Sequence, residues 1–138
     1  MRIWFAYGSE HSSNLVMIGH FISAPAAKQA QAAILAITQQ AYKDRDDDRF
    51  DAGSPPADYG KDMLDVLGKI KVSTITPHEL EQFLYEVVVK VEGNDVVVTT
   101  EEYDLSGFMK ALLAHGARVE VYSAHEYPDT KHGRGYKQ

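Results

Sequence analysis

Two valine-rich runs, Glu86-Val87-Val88-Val89-Lys90-Val91-Glu92 and Asp95-Val96-Val97-Val98-Thr99-Thr100, flank the dipeptide Gly93-Asn94. β-Branched segments separated by two turn-forming residues predict a tight antiparallel hairpin. This pair restricts the fold more than any other feature of the chain. Consecutive valines imply burial on both faces for part of their length, so both strands are expected to be central or near-central. Lys90 and Glu92 mark a solvated side toward the turn.

Around that hairpin the remaining elements follow from periodicity. Arg2 to Tyr7 and Asn14 to Phe21 are short apolar runs separated by the polar loop Gly8-Ser9-Glu10-His11-Ser12-Ser13, which reads as two strands and a connecting loop. Ser23 followed by Ala24-Pro25 is an N-cap and first-turn signal. Ala27, Ala30, Ile34, Ile37 and Ala41 then form one apolar stripe through about Tyr42. A helix of that length, roughly 28 Å, overhangs a seven-residue strand of roughly 23 Å. Tyr59 to Lys71 carries Met63, Leu64, Leu67 and Ile70 at helical spacing. Thr76-Pro77-His78-Glu79 is a capping box opening a short helix with Leu80, Phe83 and Leu84 inward. Asp104 is the expected cap of a helix reaching about His115, with Gly116 just past its end, and Ala117 to Ser123 alternates as a last strand.

Leaving out residues 2–7 and the middle helices, the order is strand 14–22, helix 24–43, strand 86–92, strand 95–101, helix 104–115 and strand 117–124. This β-α-β-β-α-β order resembles a ferredoxin-like domain. The expected class is α+β: an antiparallel ferredoxin-like sheet with an extra N-terminal edge strand, residues 2–7 pairing with strand 14–22. A helical insertion, 44–85, follows the first helix. Residues 1–127 form one domain, and the polar, basic segment 128–138 is expected as a flexible tail. The run Tyr7-Gly8-Ser9-Glu10-His11-Ser12-Ser13-Asn14-Leu15-Val16-Met17-Ile18-Gly19 also looks like the start of a family of uncharacterised bacterial proteins. That resemblance implies no activity and no site residue.

Composition removes several chemistries. The absence of cysteine excludes disulfides, thiolate metal sites and cysteine nucleophiles. Fourteen Lys+Arg against twenty Asp+Glu give a net charge of −6, which opposes a nucleic-acid surface. No apolar run approaches a membrane span. Met1 leads straight into a strand-like segment without the pattern of a secretory signal, so the expectation is a cytoplasmic protein without a membrane partner.

Reactive groups concentrate in the 8–13 loop. His11 is a candidate general base, with Glu10 or Glu126 to orient it, for a small hydrolase or isomerase. Neighbours in an extended segment point apart, however, so Gly8–Ser13 cannot form a site alone and needs partners from the end of the last strand or from a second subunit. Tyr7, Ser9, Glu10, His11, Ser12, Ser13, His20 and His125 are therefore the candidate ligand-binding residues. His20, beside Phe21 in an apolar strand, reads first as a hydrogen-bonded core or interface residue. No metal-ligand spacing occurs, and Asp44, Asp46 and Asp48 start a calcium-loop pattern that fails at Arg49 and Pro55. No metal or cofactor is expected.

The leading expectation is a non-enzymatic small-molecule- or protein-binding module that self-associates, as a homodimer, through the sheet face left bare by helices on one side. The alternatives are the His11 enzyme and an acidic decoy for a basic partner, since Asp44–Asp51 holds five carboxylates in eight residues.

Overall fold

A computed structural model describes residues 14–123. Its elements are β1 (Leu15–His20), α1 (Ala24–Asp46), α2 (Lys61–Ile70), a 3₁₀ helix (Pro77–Leu84), β2 (Val87–Glu92), β3 (Asp95–Thr100), α3 (Ser106–Ala114) and β4 (Arg118–Ser123). The four strands form one sheet in the order β2-β3-β1-β4, and every neighbouring pair is antiparallel. The fold is thus α+β with the split β-α-β-β-α-β arrangement of ferredoxin-like domains.

The hairpin forms as its turn demands. Gly93 adopts φ +62° at the first turn position, a left-handed value that costs glycine little, and Glu92 faces Asp95 across the two-residue loop. Of the two hairpin strands only β3 is central, however. β2 is an outer strand, with Val88 51% exposed and Val87, Val89 and Val91 half-buried. Consecutive valines suit an outer strand because α1 packs on one side of it. β1 is central, paired with β3 on one side and β4 on the other over all six residues. It has no free edge for residues 2–7 to pair with, as the sequence suggested; that segment and the tail lie outside the described residues.

Strand alternation then divides the sheet. Met17, Gly19, Val96 and Val98 face the helices, and Val16, Ile18, His20, Val97, Lys90, Glu120 and Tyr122 face the other way. α1 and α3 pack together on the first face, and among the described residues no helix covers the second. Gly19 lets α3 approach, since a Cβ there would sit 3.2 Å from Leu112 and 3.3 Å from the Ala117 methyl.

α1 starts as predicted: the Ala26 N–H donates to Ser23 Oγ at 3.2 Å, and Pro25 occupies the first turn. It runs to Asp46, past the predicted end near 43, because Asp44 is buried and accepts from Gln40 Nε2 at 2.9 Å. At 23 residues it spans about 34 Å against about 20 Å for β1, so the predicted overhang is real. The insertion packs along this overhang, with α2 on α1 and the 3₁₀ helix wedged between α1 and α3. Leu64, predicted inward on α2, is 51% exposed, while Met63 and Leu67 are buried.

Candidate functional site

Of the candidate residues named above, only His20 is described. Tyr7, Ser9, Glu10, His11, Ser12, Ser13, His125 and Glu126 fall outside, so their expected convergence has no geometry to judge it. His20 itself lies at the end of β1 on the bare sheet face, between Asp95 of β3 and Arg118 of β4 in register. It is exposed rather than buried. Its Nδ1 meets Asp95 Oδ1 at 2.9 Å and its Nε2 meets Glu120 Oε1 at 2.8 Å. Both ring nitrogens can donate only in the imidazolium form. The pKa is accordingly raised above the ordinary 6.5, first by the hydrogen bond with Glu120, then by that with Asp95. Because the two nitrogens point apart, each toward its own carboxylate, the trio clamps three strands rather than converging on a ligand. Among the described residues no group of three or more His, Asp or Glu is placed to hold a metal ion.

A second polar cluster ties the insertion to α3. Glu79 accepts from Lys110 Nζ at 2.7 Å, Ser106 Oγ at 2.5 Å, and the Thr76 N–H at 2.8 Å. Burial alone would raise the pKa of this carboxyl, but those donors outweigh it and hold it down at about 2. Beside it the buried Gln82 donates to Asp104 Oδ1 at 3.0 Å and accepts from the Gly107 N–H at 2.6 Å. Asp104, expected to cap α3, is thereby turned toward Gln82, and α3 begins from Leu105 instead. Every buried side-chain polar atom described has a partner, so this cluster is fully used in holding the fold.

The feature with unspent capacity is a groove of about 450 Å³ between α1 and the outer strand β2. Ile34, Leu35, Thr38 and Tyr42 of α1 form one wall, and Val87 and Val89 of β2 the other. Phe83 and Phe108 close the floor, stacked at 4.5 Å between ring centroids with 21° between planes. Gln31 and Tyr85 supply polar groups at the rim. The Tyr85 hydroxyl donates to Glu81 Oε1 at 3.2 Å. Burial, then the negative charge of Glu81, with Asp104 and Glu102 adding to it, pushes the phenol up to about 12. Leu35 and Tyr42 stay 54% and 37% exposed at the lip. Volume, apolar lining and a few placed polar groups are what a small-ligand cleft requires.

Sequence reasoning missed this groove. Leu35 and Thr38 lie just off the alanine-isoleucine stripe of α1, and that was the available signal: two groove-facing positions at spacing three beside a buried face. What it lacked was the knowledge that β2 is an outer strand.

Compared with known proteins, one family model matches the chain, over residues 1–134, and its description is a family of unknown function (DUF6375). No curated protein and no solved structure matches.

Proposed function

Since the chain belongs to the family of unknown function DUF6375, whose description assigns no activity, we propose its function from geometry: it is a binding module, and its site is the groove between α1 and β2. The observation that carries this is the combination of an aromatic floor, two aliphatic walls and a 450 Å³ volume left unfilled beside a close-packed core. Apolar surface kept partly wet at Leu35 and Val89 is an unspent driving force, roughly 25 cal/mol for each Å² a ligand would cover.

The test uses indole and 2-naphthol titrated into the protein and followed by amide and side-chain NMR shifts. Saturable changes at Gln31, Thr38 and Val89 are expected, and they should vanish in Thr38→Trp, whose indole fills the space. No saturable change up to about 1 mM, the affinity limit of a site worth about 4 kcal/mol, overturns the reading.

A second reading is self-association through the sheet face that no described helix covers, favoured by Ile18, Val97 and Val88 on that face. A strictly monomeric mass by light scattering at micromolar concentration would remove it.

A further inference from the structure

We infer that the ligand class of the groove is an extended peptide strand of a partner protein, added antiparallel to the free edge of β2 with alternate apolar side chains in the groove. This rests on the groove reading and deepens it. The argument begins at the turn. In a hairpin closed by two residues, the flanking pair Glu92 and Asp95 exchanges both backbone hydrogen bonds, and such pairs recur at every second residue. Glu92, Lys90 and Val88 therefore direct their N–H and C=O groups to β3, while Val91, Val89 and Val87 direct theirs outward.

The structure agrees at the one point that reports on it. Gln31 Nε2 reaches from α1 to donate to the Val89 carbonyl at 3.4 Å, which requires that carbonyl to point away from β3. Among the described residues this long bond is the sole hydrogen bond made to the edge. Such unpaired edges are a liability that proteins usually blunt, and here the blunting is slight: Lys90 lies on the opposite face. The residues with outward backbone, Val87 and Val89, are the same two whose side chains line the groove. Residues directly opposite across an antiparallel pair share a face. A strand pairing with Val87 and Val89 thus places its own alternate side chains on the groove side, against Leu35 and Thr38. Main-chain bonds and side-chain pockets coincide, which is the geometry of strand addition.

Charge complements one end of the peptide. Glu81, Glu102 and Asp104 all act on Tyr85, at the Val87 end of β2. An antiparallel peptide brings its C-terminal end there, so a basic residue two positions past the one facing Val87 meets this acidic rim.

The experiment uses the fluorescein-labelled, C-terminally amidated peptide Val-Thr-Leu-Thr-Val-Thr-Lys and fluorescence anisotropy. The parent should bind saturably. N-methylation of its Leu, which removes the bond to Val89, and replacement of its Lys by Glu should each weaken binding by about tenfold or more. Gln31→Ala, which frees the Val89 carbonyl for the peptide N–H, should tighten binding, and weaker binding counts against pairing at that carbonyl. An N-methylated peptide that binds as well as the parent overturns the inference. So does an absence of peptide binding where indole and 2-naphthol still saturate the groove, while failure of all three ligands overturns the groove reading itself. A dimer that Val89→Pro dissolves in the absence of peptide would assign the edge to a second copy and also overturn it.

Discussion

Glu79→Gln isolates the charge at the junction between the insertion and α3. In the folded chain the carboxyl is held at about 2 against an ordinary 4.5. By proton linkage that difference is worth about 3 kcal/mol of stability at neutral pH. The side chain is only 12% exposed, so solvent screening removes little of it. The sign follows from the depression: the contribution is complete above 4.5 and is lost as pH falls through about 2. Urea unfolding of wild type should therefore weaken steeply below about pH 4.5. The Glu79→Gln variant should be less stable by about 3 kcal/mol at pH 7, a fall in Tm of roughly 10 °C, and should converge on wild type as pH approaches 2. A constant gap across that range, or no gap at pH 7, would refute the assignment of the stabilisation to the Glu79 charge.

The clamp on His20 predicts an NMR titration midpoint above 6.5, with its stabilisation complete below 6.5 and lost as pH rises through that midpoint; a midpoint at or below 6.5 contradicts the geometry. Gly107→Ala sets two effects against each other, because alanine favours a helix by about 1 kcal/mol but its Cβ would lie 2.9 Å from the Phe83 ring and 3.0 Å from Gln82 Oε1. Both neighbours are buried, so overpacking should prevail and destabilise by about 1–3 kcal/mol in thermal unfolding. Gly93→Val forces a β-branched residue to φ +62° at a position with open space around it, so its cost is purely conformational, about 1–2 kcal/mol by urea midpoint.

What the sequence disclosed was local. The Ser23 cap, the α1 stripe, the Thr76–Glu79 box and the Gly93-Asn94 turn each depend on neighbours within a few residues, and each is found. The chain order β-α-β-β-α-β also followed, because each element carries its own periodicity and end signals. Failures arose where the deciding partner is far along the chain. Val87 to Val91 read as central since nothing in a valine run says which neighbour is missing. Asp44 read as one of the carboxylates an acidic decoy would present, yet it is buried against Gln40 one turn back, and Asp104 read as a cap but is engaged by Gln82. His20 was legible as hydrogen-bonded; its two carboxylates, 75 and 100 residues away, were not.

The groove owes its shape to the insertion rather than to the sheet-and-two-helix core. An outer strand beside a helix ordinarily leaves a shallow, wet step; here Phe83 is pushed in from the 3₁₀ helix to meet Phe108 and make a floor. The neighbours of Phe83 are tied down: Gln82 is bonded to Gly107 and Asp104, and Glu79 to Lys110 and Ser106, so the segment is fastened to α3 through the residues that precede it. The polar cluster and the apolar groove are therefore one device. Its rigid half keeps the aromatic floor from collapsing into the cavity, and the opposing wall, β2, remains free along its outer edge. A segment anchored this firmly beside a strand whose outer edge has no strand partner among the described residues places a cleft where a backbone partner can pair, and preorganisation of that kind lowers the ordering cost a ligand must offset.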